Sequence, residues 1–139
     1  MAIQVDVVSS EGEIFSGTAQ MVVAPASEGE VGIYGGHSPL LTRLIPGSVR
    51  VYVSESEVQY FYVSGGYLEV QPHLVTVLSD NALRAADLDE AAIQKAKAAA
   101  EEAMRNKSSD MDWTIVEARL IESIAQLRTI DHFRSSSKH

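Results

Sequence analysis

The sequence predicts an N-terminal antiparallel β-sandwich over residues 1–86, followed by a C-terminal antiparallel hairpin of two helices over residues 87–139. Three observations lead there. Apolar residues alternate with polar ones, at strand spacing, as far as about residue 83. Turn-forming clusters interrupt that pattern every few residues. Beyond Arg84 the spacing becomes helical, and alanine replaces the β-branched residues.

The first strand is the plainest. Ile3, Val5 and Val7 alternate with Gln4, Asp6 and Val8, so one face is apolar and half-buried. Segments 21–24, 48–53, 58–63 and 75–78 are rich in valine, tyrosine and phenylalanine, which suit a pleated surface. Between them stand Ile45-Pro46-Gly47, Ser54-Glu55-Ser56-Glu57, Gly65-Gly66 and Gln71-Pro72-His73, each with turn chemistry. Short strands with no helical stretch between them describe a sandwich or flattened barrel. Residues 28–41 pack four glycines, His37 and Pro39 among apolar residues and read as a loop. His37 is there either a backbone-bonded turn residue or an interface anchor.

The helical part begins with Asp87-Leu88-Asp89-Glu90, which predicts a capping box with Asp87 as N-cap. An alanine-rich helix follows to about Arg105, with Ile93 and Met104 as its larger apolar residues. Lys107-Ser108-Ser109-Asp110 makes a polar break. The second helix carries Trp113, Val116, Leu120, Ile124, Leu127 and Ile130 at spacings of three and four, an amphipathic stripe that leaves Ile115 and Ile121 outside. A short connection folds two such helices back on each other. Alanine methyls bury little apolar surface, so one expectation is a hairpin that docks marginally and opens; the other is a stable hairpin that merely completes the core.

Charge and motif content narrow the function classes. Residues 1–83 carry two basic side chains, Arg43 and Arg50, against nine acidic ones, whereas residues 84–139 are nearly balanced. The sandwich therefore lacks the basic face that nucleic acid requires. The absence of cysteine removes disulfides, thiolate metal sites and thiol nucleophiles. His37, His73, His132 and His139 show no metal-ligand spacing, and no phosphate loop or nucleophile elbow is present. No apolar run reaches membrane-spanning length, and the N-terminus lacks a signal peptide's basic start and apolar stretch, so a cytoplasmic location is expected. A binding or regulatory part is indicated, with no catalytic residues, metal or cofactor. One alternative is a sandwich module using Tyr52, Tyr60, Tyr62 and Tyr67 as an aromatic platform for carbohydrate or peptide. A stand-alone ATP sensor is another.

Several segments in order resemble one family. Gly29-Glu30-Val31-Gly32-Ile33 with Gly36-His37-Ser38-Pro39-Leu40-Leu41 is similar to the GELGI…PGHAPLL segment of epsilon subunits of bacterial F-type ATP synthases. Val63-Ser64-Gly65-Gly66-Tyr67-Leu68-Glu69-Val70-Gln71-Pro72, Val75-Thr76-Val77-Leu78-Ser79-Asp80, Asp87-Leu88-Asp89-Glu90-Ala91 and Ile124-Ala125-Gln126-Leu127-Arg128 extend the likeness along nearly the whole chain. The resemblance implies the same two-part fold and a non-catalytic rotor subunit that couples proton flow to ATP synthesis. Its partners would be the gamma subunit, the c-ring and the alpha and beta subunits, on the cytoplasmic side of the bacterial inner membrane. Glu30, Gly32, Tyr34 and His37 would meet the c-ring. The hairpin would swing up to block ATP hydrolysis, with Arg119, Arg128 and Arg134 reaching the alpha/beta head.

Two departures carry expectations of their own. Gly35 stands where the family usually has proline, which frees the loop's backbone. Some relatives bind ATP through an (I/L)DxxRA motif at the start of the first helix. Leu88 and Asp89 keep its first half, but Ala92 and Ile93 replace the arginine and alanine. A hydrogen bond to a charged group is worth about 1.5–3 kcal/mol, so weak or absent ATP binding is expected.

Overall fold

The computed structural model describes residues 2–106 and 112–137. Ten strands come first: β1 (Ile3–Ser9), β2 (Gly12–Ala19), β3 (Met21–Ala26), β4 (Gly29–Tyr34), β5 (Leu40–Leu44), β6 (Gly47–Tyr52), β7 (Val58–Val63), β8 (Gly66–Val70), β9 (Leu74–Leu78) and β10 (Ala82–Arg84). A 3-10 turn, Ala85–Asp87, leads to α1 (Glu90–Arg105) and α2 (Trp113–Ser137). The polar break read at residues 107–110 lies outside the described residues.

The strands hydrogen-bond in the order β10-β7-β6-β3-β5-β8-β9-β1-β2, with β4 on the free edge of β3. This long sheet folds over on itself, and β10 returns against β1 and β2 to close the flattened barrel. Alternation decides what lies inside. Ile3, Val5, Val7, Val22, Val49, Val51, Phe61, Val63, Leu68, Val70, Val75 and Val77 share one core, and every residue of it falls between positions 3 and 82. The sandwich therefore encloses its core without help from either helix.

Beyond four strands that the sequence reading did not single out, β2, β5, β8 and β10, three features differ from it. One pairing, β1 with β9, is parallel; many residues separate these strands, so no tight turn constrains their direction. Half of the segment read as a loop is strand, since β4 pairs with β3 along its whole length, from Met21↔Tyr34 to Ala26↔Gly29. The N-cap of α1 is Asp89, whose Oδ1 accepts a hydrogen bond from the Ala92 amide at 3.1 Å. Asp87 instead ends the 3-10 turn, in which the Leu88 amide bonds the Ala85 carbonyl at 3.2 Å.

Two glycines are fixed by space. A Cβ on Gly66, which has φ +118°, would lie 1.9 Å from the Leu78 carbonyl oxygen, so the β8–β9 pairing admits no side chain there. On Gly47 it would fall 2.9 Å from the Pro25 ring, where β3 passes from pairing with β6 to pairing with β5.

Candidate functional site

Two surfaces carry the residues singled out in the sequence. The first is the outer face of β4 with the turn after it. Ile33 points into the core and Val31 packs against it, so Glu30, Gly32 and Tyr34 stand together on the opposite face. Tyr34 is 62% exposed at the far end of this row. Glu30 is engaged within the chain: its Oε1 accepts from Arg50 Nη2 of β6 at 2.6 Å. His37 lies beyond the strand, in a turn where Gly36 takes φ +81°. Its amide donates to the Tyr34 carbonyl at 3.3 Å, and its Nδ1 is 2.7 Å from the Ser38 carbonyl oxygen. Of the two readings of His37, the turn residue bonded to backbone describes its local geometry.

The second surface is the hairpin. The α2 helix is gripped on two sides, by α1 and by the outer face of β6 and β7. Core residues Val49, Val51, Phe61 and Val63 point the other way, so Ser48, Arg50, Tyr60 and Tyr62 form the face that α2 covers. Toward it the helix turns Ala125, Thr129, His132 and Phe133, spaced by about one turn. The Phe133 and Tyr60 rings meet at 6.0 Å. Burial, and Glu122 on the helix above, push the Tyr62 hydroxyl well above its ordinary value. Tyr60 and Tyr62 are buried, so the tyrosine platform of the binding-module alternative does not form.

Of the amphipathic stripe read on α2, Ile130 is buried and Trp113, Val116, Leu120 and Leu127 are half-buried, while Ile124 is 39% exposed; Ser123, Ala125 and Thr129, outside the stripe, are buried as well. A helix with two partners buries two narrow faces, and small residues serve where the backbone approaches a sheet closely. Thr129 is fully covered, and its hydroxyl donates to the Ala125 carbonyl at 2.9 Å. Arg119 and Arg128 are exposed on α2. Arg134 pairs with Glu90 at the start of α1, through Nη1 to Oε1 at 3.2 Å and through Nη2 to Oε2. That pair fastens the two ends of the hairpin together.

Between α1 and α2 runs a groove of about 610 Å³. Leu88, Asp89 and Ala92 line it beside Arg119, with Asp87 and Glu122 adding further carboxylates. The structure thus gathers three residues of the incomplete nucleotide motif with one arginine of α2. Alanines form much of its wall.

The sequence reading passed over one cluster. Arg50 Nε, His132 Nδ1 and the Ser48 hydroxyl are buried with no hydrogen-bond partner among the described residues. All three belong to the contact of α2 with β6. Burial lowers the His132 pKa below its ordinary value, Arg50 lowers it further, Glu30 opposes, and Arg128 and Asp131 act in opposite senses.

Two domain descriptions match the chain: the β-sandwich domain of the ATP synthase delta/epsilon chain over residues 2–85, and its long α-helix domain over 86–131. An ATP synthase epsilon chain 1 from Methylococcus capsulatus is 57% identical over 96% of this chain and 96% of its own length. An ATP synthase epsilon chain from Alkalilimnicola ehrlichii is 54% identical over 98% and 97%. The fold is shared with a chain of the Euglena gracilis mitochondrial ATP synthase, at TM-score 0.67 and 24% identity, covering 99% of this chain and 81% of that one. A chain of the central stalk and c-ring structure from Tetrahymena thermophila matches at TM-score 0.59 and 11% identity, over 92% and 96%. Among the described residues, no helix is long and apolar enough to cross a membrane. On the two domain matches and these bacterial relatives, the chain belongs to the ATP synthase delta/epsilon family as an epsilon chain, a non-catalytic subunit of the complex.

Proposed function

We propose that this epsilon chain works as a rotor element, joining gamma to the c-ring through its sandwich and restraining ATP hydrolysis through its hairpin. It does so on the cytoplasmic side of the bacterial inner membrane. The observation that carries the reading is the division of the molecule. A closed apolar core lies wholly within residues 3–82, and the hairpin is laid on its outside over a face that buries Ser48, Thr129 and Ala125. Such a chain can let the hairpin go while the sandwich keeps its place. The released helix offers Ile115, Ile121 and Ile124, already exposed in the docked state, together with Leu127 and Ile130. Arg119 and Arg128 are ready to meet acidic loops of the head, and Arg134 joins them once its pair with Glu90 is broken. Exposed ion pairs contribute about 0–1 kcal/mol each, so the apolar residues supply most of that grip.

At the other end, Gly32, Tyr34 and the His37 turn would meet the c-ring. Glu30 plays a smaller part there, being bound to Arg50. The groove between the helices holds ATP weakly or not at all, since Ala92 supplies no cation and Asp87, Asp89 and Glu122 repel phosphates.

The test is ATP hydrolysis by a catalytic head stripped of its epsilon subunit, titrated with the full chain and with a chain ending at Ala86. Inhibition by the full chain alone places the brake in the hairpin. Equal effects of the two chains, with both bound to the head, refute it. Calorimetry is expected to find ATP affinity at least tenfold weaker than in an Ala92→Arg variant; tight binding by the unaltered chain would overturn the reading of the groove.

A further inference from the structure

We infer that His132 is a proton-operated latch, whose protonation at the contact between α2 and the sandwich releases the docked hairpin. The inference rests on the reading that the hairpin leaves the sandwich, and names what governs its departure.

His132 stands on the face of α2 that covers β6, one residue from Phe133, whose ring lies on Tyr60. Its Nδ1 is buried and bonded to nothing among the described residues. From β6 it is faced by Arg50, whose own Nε is buried and unbonded. β4 supplies Glu30, which is already paired to Arg50 at 2.6 Å. β7 supplies Tyr60, and α2 itself Arg128 and Asp131. On the far side of the helix, Glu90 of α1 is taken by Arg134. The nearest counter-charge from the sandwich is therefore spent on Arg50. A proton on His132 would place a second cation against that guanidinium, inside an interface where no acceptor meets Nδ1.

The direction follows by linkage. Burial and then Arg50 hold the docked imidazole below the ordinary histidine value of about 6.5, whereas a hairpin freed into water regains it. Above that range both states are neutral and docking is at full strength. As pH falls through it, the free state takes up the proton first, so docking weakens progressively. Acidification around the stalk thus frees the hairpin, the opposite of what an ordinary surface histidine near a carboxylate would do.

The chain has no cysteine, so a donor–acceptor dye pair on Ser56→Cys and Ser135→Cys reports the distance from the β6–β7 turn to the end of α2 in the full chain. From pH 8 to pH 5.5 the ratio of released to docked molecules is expected to rise about three- to tenfold, as one proton allows. In His132→Gln and in His132→Leu it should stay flat. An equal rise in these variants, or a flat ratio in the unsubstituted chain, overturns the latch. A flat ratio with a released population present leaves the brake standing. Absence of any released population, together with equal inhibition by the full chain and the chain ending at Ala86, removes the underlying reading as well.

Discussion

The sandwich core and the seat of the hairpin are two buried interfaces of one small molecule, and they are built on opposite rules. Inside the sandwich, valine, isoleucine, leucine, phenylalanine and a few alanines pack on one another. Under α2, the large buried residues Tyr60 and Tyr62 are joined by the small Ala125, Thr129 and Ser48, and the Ser48 hydroxyl, Arg50 Nε and His132 Nδ1 find no hydrogen-bond partner among the described residues. Each large apolar side chain in the core is worth roughly 1.5–3 kcal/mol. Each unpaired polar atom under the helix costs about 1–3 kcal/mol. The contrast teaches that burial alone does not measure attachment. A helix can be covered yet only lightly held, which is what a movable part requires.

Substitution separates the two regimes. The largest effect is expected in the core. Phe61 is fully buried, touches Phe15 at 5.6 Å and lies under the Arg84 guanidinium. Phe61→Ala should cost about 3–5 kcal/mol in chemical denaturation of the whole chain. A loss below 1 kcal/mol would mean that the core is not the single structural unit described above.

Next in size is a change at the seat of the hairpin. Ala125 is closely covered, and Ala125→Leu inserts three carbons where the helix backbone nears the sheet. Overpacking typically costs about 1–3 kcal/mol, but here the cost is capped by the docking free energy, because release removes the strain. Hydrogen exchange should quicken along α2 while the denaturation midpoint of the sandwich stays put. If both move together, helix and sandwich form one cooperative unit and the contrast fails.

How much of this was legible in the sequence depended on what each residue answers to. Ile3, Val5 and Val7 answer to one core, so their alternation identified β1. Gly29 and Gly32 are poor strand formers, and β4 was missed; it exists because β3 supplies a full-length partner, although Val31 and Ile33 already alternate with Glu30, Gly32 and Tyr34. On α2, hydrophobicity marked the large residues, including the exposed Ile124, and overlooked Ala125 and Thr129, whose value lies in being small. The cluster of Glu30, Arg50 and His132 joins three elements distant in sequence, and only the folded sheet brings it together.

The start of α1 gives a smaller and sharper test. Two aspartates compete for the cap, and the observed bond runs from the Ala92 amide to Asp89. Asp89→Ala should cost about 1 kcal/mol of hairpin stability, read as faster exchange at the amides of residues 91 to 93. Asp87→Ala should leave them unchanged. The reverse result would restore the capping box inferred from sequence and shift the helix start by two residues.

The smallest effect belongs to the ion pair that ties the end of α2 to the start of α1. Glu90 and Arg134 are both partly exposed, so water and salt screen them, and the pair is worth about 0–1 kcal/mol. Glu90→Gln should raise hairpin opening at most a few-fold at low ionic strength and not at all in 1 M salt. The sandwich core, which owes nothing to charge pairs, should keep its stability in the variant at both ionic strengths. A large, salt-insensitive effect would show that the pair is a principal fastening, and that opening the hairpin means separating the helices from each other before lifting them from the sheet.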